Sequence, residues 1–241
     1  MSEVIRSGPM AFYEEGHRYI NEETTEQYKS VTTLISSFEH EFETEKISAN
    51  MARRDGRIQS EIIAEWDLKR DTATEFGTAL HRFFERMFLS PGHIIIPQNY
   101  FEKMLLKGYY RTKNLNWDGE VYPEVLLYNH EFKIAGQSDI IHEVNNNMFD
   151  VGDWKTNGEF RYHDPFRNYF KRPLSHLQQC EFNIYGLQLS TYAYFYELMT
   201  GRKCRKIFVL YYWRDHNIFQ VIPMNYMKYE VMMMLKKYKE L

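Results

Sequence analysis

Two acids and a lysine interrupt an otherwise apolar stretch near the middle of the chain. The segment DVGDWKTN covers residues 150–157 and includes Val151 and Trp154. Successive side chains of a β-strand point to opposite faces, so Asp153 and Lys155 would share one face. Two interpretations are open at this point. The carboxylate and the ammonium form a salt bridge, or they are a metal ligand beside a catalytic cation.

A third charge is expected on the preceding strand. The segment FKIAGQSDIIHEV covers residues 132–144 and contains Asp139, and a tight turn joins it to the next strand. Charges on buried strands must be paired or bind metal, so three of them favour a site over scattered surface charges. We expect a kink or bulge at Gly136 or Gly152 to bring Asp139 and Asp153 to the same end of the sheet.

A histidine and a glutamate share one face of a predicted helix. His81 and Glu85 are four residues apart in GTALHRFFERMF, so they point the same way. His81 lies at the edge of the apolar stripe, where a histidine is more often a structural residue than a ligand. Gly77, one turn earlier, permits close approach of another backbone. The spacing alone leaves both roles open.

Helices and strands alternate along the chain in an order that predicts a mixed α/β fold. The first part holds a hairpin around residues 21–25, then helices at 31–38, 43–70 (one or two), 72–88 and 97–112. The second part holds strands at 120–129, 132–144 and 147–156, a loop at 157–173, a helix at 174–199, strands at 206–213 and 218–224, and a helix from 225.

The composition is that of a folded protein with a large core. The chain has 241 residues, of which 44% are hydrophobic and 17% aromatic. Its net charge of −3 argues against a generally basic nucleic-acid binder, but not against a local groove for DNA. It has neither an apolar run of membrane-spanning length nor a signal peptide, so we expect a soluble, cytoplasmic protein with no membrane contact. Cys180 and Cys204 are too few to hold an iron–sulfur cluster.

Five short motifs occur in the order typical of one nuclease superfamily. They are GTALH (77–81), Glu124, GQSD (136–139), DWK (153–155) and QLSTY (188–192). Together they resemble the PD-(D/E)XK nucleases, and most closely the RecB-like and phage-type exonucleases without an iron–sulfur cluster. The resemblance covers about residues 72–200. It implies a restriction-endonuclease-like core, a central mixed sheet flanked by helices, over residues 71–241. We expect residues 1–70, a hairpin and helical region, to pack on that core in one compact domain.

The resemblance also implies a set of metal ligands. Asp139, Asp153 and the backbone carbonyl of Trp154 would bind a divalent cation, with His81 as a further ligand. Asp153 stands where many relatives have glutamate, a change that the superfamily tolerates. Oxygen ligands suit Mg²⁺, and one imidazole nitrogen shifts the preference toward Mn²⁺. We therefore expect one or two Mg²⁺ or Mn²⁺ ions.

The remaining motifs carry the other catalytic roles of the family. Lys155 would orient or activate the attacking water and offset charge on the phosphate. Gln188 and Tyr192 match a Q-x-x-x-Y helix motif that holds the substrate and the active-site residues. Glu124 sits where some relatives carry an additional catalytic acid.

Basic and aromatic residues alternate in the predicted loop at 157–173. Cations of such a loop can contact phosphates while rings stack on bases. The alternative is that the aromatic residues pack the loop onto the domain. The length of the loop favours a functional role. The residues predicted to bind substrate there are Arg161, Arg167, Tyr169, Lys171 and Arg172.

These observations predict a metal-dependent DNA nuclease. We expect an exonuclease of DNA replication, recombination or repair, of the kind that phages and viruses encode. It would act on single-stranded DNA or duplex ends, beside recombination or replication proteins. One alternative is a structure-specific or RNA-directed endonuclease of the same superfamily. The other is a catalytically inactive nucleic-acid-binding module, which would be expected to have lost Asp139, Asp153 or Lys155.

Overall fold

A mixed sheet with helices on both faces organises the computed structural model, which describes residues 4–113, 115, 117–156 and 158–240. These residues form nine strands: β1 (Val4–Ser7), β2 (Met10–Tyr13), β3 (Arg18–Asn21), β4 (Gln27–Ser30), β5 (Glu120–Asn129), β6 (Ile134–Asn145), β7 (Met148–Lys155), β8 (Lys203–Trp213) and β9 (Ile218–Met224). Six α-helices accompany them: α1 (Val31–Ser36), α2 (Thr44–Asp55), α3 (Gln59–Leu89), α4 (Tyr100–Arg111), α5 (Glu181–Thr200) and α6 (Lys228–Tyr238). The mixed α/β class predicted from the sequence is confirmed.

Strand β6 is the centre of the sheet. One of its edges pairs with β5 along nearly its whole length, in antiparallel register. The other edge is shared by two strands: β4 runs parallel to it at Ile134 and Ala135, and β7 runs antiparallel to it from Ile140 onward. In the described chain, residues 136–139 pair with neither strand on this edge. The GQSD motif therefore spans a gap between β4 and β7.

Apolar side chains cover both faces of the sheet. On one face, α1, α5 and α6 pack around Leu34, Leu187 and Val231. On the other face, α3 and α4 pack around Phe84 and Leu105, together with strand residues. The ring of Trp154 belongs to this second layer, stacked on Phe84 with centroids 4.0 Å apart. Alternation along β7 therefore turns Asp153 and Lys155 toward the face that α5 covers, together with Phe149 and Val151.

The structure differs from three of the predicted elements. The predicted helical region 43–70 contains α2 and the first part of α3, and α3 continues without a break through the predicted helix at 72–88 to Leu89. Two further N-terminal strands, β1 and β2, precede the predicted hairpin. The helix predicted from residue 174 begins only at Glu181, because Phe170, Leu177 and Gln179 hold the preceding segment through backbone hydrogen bonds.

The irregularity that aligns the two central acids lies near the β6–β7 turn, and not at Gly136 or Gly152 as predicted. Asp139 and Asp153 each lie one position beyond the last pair, Ile140 with Gly152, so the antiparallel register places them opposite each other. The register shifts by one residue between Glu143 and Asn145, and this shift gives the alignment. The predicted need for a bulge is confirmed, and its predicted position was wrong. The two glycines instead make room for rings, of Tyr192 at Gly136 and of Phe208 at Gly152.

None of the helices that the described residues form has the length and apolar character needed to cross a bilayer.

Candidate active site and metal centre

A cavity of about 230 Å³ opens in the gap between β4 and β7. It is bounded by the end of β4, the start of α1 and the GQSD motif. The cavity gathers sequence-predicted residues from α3, β5, β6, β7 and α5. They are His81, Glu124, Asp139, Asp153, Lys155, Gln188 and Tyr192.

Asp139, Asp153 and Lys155 form the floor of this cavity. Asp139 Oδ2 accepts a hydrogen bond of 2.9 Å from the backbone N–H of Trp154. Lys155 Nζ lies 2.6 Å from Asp153 Oδ2. Apart from this ion pair, the buried Asp153 Oδ2 accepts no hydrogen bond of regular geometry from the described residues. Asp153 and Lys155 therefore form a salt bridge. Because this pair lies in a cavity with other acidic groups, it also fits the second interpretation, a metal ligand beside a cation.

Glu124 reaches the cavity through an irregular backbone. The β5–β6 pairing is regular at Pro123 with Ile140 and at Val125 with Ser138, but it is interrupted between them, opposite Asp139. Glu124 adopts a φ of 51° at this point, in the left-handed region that residues other than glycine rarely occupy. Such a conformation costs on the order of 1–3 kcal/mol and is concentrated at functional sites.

His81 extends from α3 toward the two acids. Its Nδ1 lies 3.4 Å from Asp139 Oδ2 and 3.9 Å from Glu124 Oε1. One donor atom from each of these three residues lies within 4.8 Å of the other two. The structure therefore groups Glu124 with His81 and Asp139, while the ligand roles of Asp153 and the Trp154 carbonyl stay predictions. Trp154 itself is buried and outside the cavity lining, and its N–H serves Asp139.

The ionisable groups of the cavity shift one another's pKa values. Burial alone would lower the pKa of His81, but the charge and hydrogen bonding of Asp139 and Glu124 raise it to about 10. Burial would raise the pKa of Asp139, yet His81 and Lys155 hold it below its ordinary value. Burial and then the neighbouring Asp139 raise the pKa of Asp153 to about 7. The raised pKa values of His81 and Asp153 show that the cavity favours bound protons. The positive charge of a protonated His81 offsets part of the negative charge of the carboxylates.

These donors fit a hard divalent cation. Two carboxylates and one imidazole nitrogen converge on one point, and carboxylate-rich sites bind Mg²⁺ or Mn²⁺. The excess acidity of the cavity favours a cation in the same place. A cation at His81 Nδ1 would have to displace the proton held there, so binding should strengthen as the pH rises.

Gln188 and Tyr192 form the wall of the cavity on the α5 side. Gln188 Nε2 donates a hydrogen bond of 3.2 Å to the Tyr192 hydroxyl. Burial raises the pKa of Tyr192, so the hydroxyl stays neutral at physiological pH. The Tyr192 ring packs directly over Gly136, where a Cβ would lie 2.7 Å from it.

His17 and Tyr19 of the first hairpin, which the sequence analysis did not single out, also line the cavity. His17, in the β2–β3 turn, has a φ of 48°, and its ring lies 5.5 Å from that of Tyr19. His17 also borders a neighbouring cavity of about 440 Å³ between this hairpin and α3, together with Gly77 and Glu85. The sequence signal for this feature is a glycine, Gly16, directly before a histidine; in the structure both residues have a positive φ.

The loop residues predicted to bind substrate lie outside the cavity lining. The first residue of the predicted loop, Asn157, falls outside the described residues. Arg161 forms a bidentate pair with Glu181 at the start of α5. Phe170 is fully buried in the core, as the packing alternative predicted. The side chains exposed to solvent are those of Arg167, Tyr169, Lys171 and Arg172.

The comparisons with known proteins leave the family open. No family model matches the chain, and neither does any curated protein. The chain is similar to a crystal structure of a provisionally assigned exonuclease from Eubacterium rectale, with 12% sequence identity and a TM-score of 0.41. The match covers 88% of this chain and 79% of that one. A similarity this low carries no argument about activity.

Proposed function

We propose that this chain is a metal-dependent nuclease of the PD-(D/E)XK superfamily, and specifically an exonuclease acting on DNA. The observation that carries the proposal is the juxtaposition of Asp139, Asp153 and Lys155. They sit together in the gap along β6, with His81 and Glu124 converging on Asp139. Acidic side chains beside a half-buried lysine are groups suited to metal-assisted phosphodiester hydrolysis.

The cation would be held by His81, Glu124 and Asp139, with Asp153 close by. When bound, it supplies charge stabilisation at the phosphate and lowers the pKa of a water molecule. The strained backbone of Glu124 and the Trp154 N–H on Asp139 hold two of these donors in place before any ligand arrives.

Lys155 acts as a fixed cation in this proposal. Burial would lower its pKa, but Asp153 and Asp139 raise it above the ordinary value, so Nζ keeps its proton. Nζ also lies 4.8 Å from the centre of the Tyr185 ring, which fixes its position further. Held in this way, Lys155 donates hydrogen bonds to a water or a phosphate oxygen and does not accept a proton.

The substrate would lie across the cavity mouth and along the loop after β7. Arg167, Lys171 and Arg172 are exposed cations suited to phosphates, and Tyr169 is an exposed ring suited to a base. The guanidinium of Arg161 is occupied by Glu181, so we assign it the role of positioning the loop.

The test is digestion of end-labelled single-stranded DNA, end-labelled duplex and a covalently closed circle, with Mg²⁺ or Mn²⁺. An exonuclease shortens the linear substrates and leaves the circle intact, whereas nicking of the circle would indicate an endonuclease. Asp153→Asn and Lys155→Ala should abolish cleavage while the chain stays folded. Asp71→Asn, which removes an exposed carboxylate of α3, is the matched control and should cleave normally. Near-normal turnover by folded Asp153→Asn protein would rule out the nuclease proposal.

A further inference from the structure

Several aromatic rings in the segment between β7 and α5 face solvent. Tyr162 is 49% exposed, Tyr169 43% and Phe166 81%. Tyr162 and Tyr169 border a groove of about 410 Å³, which is also lined by Phe182 and by His163 and His176. We call this feature the aromatic groove. Exposed rings gathered in one concave surface are unusual for a folded chain and mark binding sites.

The backbone under the aromatic groove is held in place by hydrogen bonds. The Asp164 carboxylate accepts from the backbone N–H groups of Phe166 and Asn168. Tyr169 and Gln178 form an antiparallel bridge, and the Gln178 side chain accepts from the Asp164 N–H. The exposed rings are therefore presented by an ordered frame, while Phe170 of the same segment does the packing. A preorganised surface binds with less loss of conformational entropy.

A line of rings connects the aromatic groove to the candidate active site. Lys155 Nζ lies over the Tyr185 ring at 4.8 Å. The Tyr185 ring is 5.9 Å from Phe160, and Phe160 is 5.2 Å from Tyr162. Tyr162 then contacts Phe182 at 5.3 Å, inside the groove. Phe160 and Tyr185 are half-buried, so each presents part of its ring to solvent along this line.

The charges beside the groove indicate what kind of polymer the ligand is. Arg167 and Arg172 are exposed, and neither makes an ion pair within 4 Å of any described residue. Phosphates with flat, unpaired bases match such a combination of exposed rings and cations. Paired bases keep their faces inside the duplex, so a double helix does not offer the rings a partner.

We infer that the aromatic groove binds the unpaired bases of a single nucleic-acid strand whose phosphate lies at the candidate active site. The inference rests on the proposed nuclease function and adds a substrate class to it. Tyr162 and Tyr169 stack on bases, and the strand runs from Lys155 over Tyr185 and Phe160 to the groove. Single strands are then the preferred substrate, and duplexes are used through frayed ends.

The test is fluorescence anisotropy with a labelled oligothymidylate and a blunt duplex of equal length. Measuring in a metal chelator stops cleavage, so affinity is read separately from the nuclease activity. Tyr162→Ala and Tyr169→Ala should each weaken binding of the single strand by about 5- to 150-fold. Tyr169→Phe, which keeps the ring, should bind like wild type. Tyr110→Ala is the matched control, because Tyr110 is 68% exposed on α4, on the opposite face of the sheet.

Two results would overturn the inference. One is wild-type affinity of both alanine variants for the single strand, which would assign the groove to another class of ligand. The other is an equal loss of affinity for single strand and duplex, which indicates a general effect on the fold or the charge. Absence of cleavage with metal present, by contrast, bears on the proposed function alone.

Discussion

Adding one methyl group at Gly136 should disturb both the stability of the fold and the candidate active site. A Cβ at this position would lie 2.7 Å from Cε1 of Tyr192 and 3.0 Å from Cγ2 of Val31. Either the ring or strand β6 must shift, and overpacking of this kind costs about 1–3 kcal/mol. Replacing a strand glycine by alanine returns about 0.5–1 kcal/mol through the unfolded chain. Taking the middle of each range, the net loss in the free energy of unfolding is about 1 kcal/mol.

That loss is measurable by thermal unfolding. For a chain of this length it corresponds to a Tm lowered by about 2–4 °C. Gly158→Ala is the matched control, since a Cβ there meets no atom within 4 Å, and it should change stability by no more than about 0.5 kcal/mol. Because the displaced Tyr192 ring carries the hydrogen bond to Gln188, cleavage should fall even where Gly136→Ala protein is fully folded. A Gly136→Ala protein as stable as the Gly158→Ala control would refute the packing on which this reasoning depends.

Three further perturbations test other parts of the structure. His81→Ala should weaken Mn²⁺ binding more than it lowers stability, and unchanged affinity in calorimetric titration would return His81 to a structural role. Asp150→Asn should destabilise the fold by about 1–3 kcal/mol, because it removes a fully buried carboxylate that accepts two hydrogen bonds from the partly exposed Arg205. Burial would raise the pKa of Asp150, but the hydrogen bonds from Arg205 hold that pKa below its ordinary value. The stabilisation is therefore present above the ordinary carboxyl pKa and is lost as the pH falls through the lowered one. Denaturant unfolding should therefore show the gap between wild type and Asp150→Asn closing in acid, and a gap independent of pH would contradict the assignment. Replacing Arg167 and Lys171 together by alanine should flatten the log–log salt dependence of DNA binding by about two units, and an unchanged slope would place the phosphates elsewhere.

The sequence was sufficient to predict the central strands. Strand β5 has the predicted limits, and β6 and β7 differ from theirs by one or two residues at an end. Their apolar residues and the short turns between them leave one arrangement, a meander. The residue types of the GQSD and DWK motifs were also enough to predict that Asp139, Asp153 and Lys155 lie near one another. Their catalytic roles stay predictions until cleavage is measured.

Other features depend on contacts that no local pattern contains. Glu124 turns into the cavity through a left-handed backbone, and a glutamate in a strand gives no sign of this. The exposed first half of α3 lacks the apolar stripe that made its second half recognisable, so one helix was predicted as separate pieces. His17 was missed because it enters the cavity only through the pairing of β4 with β6, more than a hundred residues further along the chain.

The residues that line the cavity come from distant parts of the chain, and this affects when the cavity forms. Its lining runs from His17 in the first hairpin to Tyr192 in α5, and no single stretch of the chain supplies it. A nascent chain that has not yet emerged beyond α5, or a fragment cut between β7 and α5, has no complete cavity to bind a ligand. The proposed activity would therefore begin only when these parts have docked, and we expect loss of turnover on heating to follow the same curve as global unfolding.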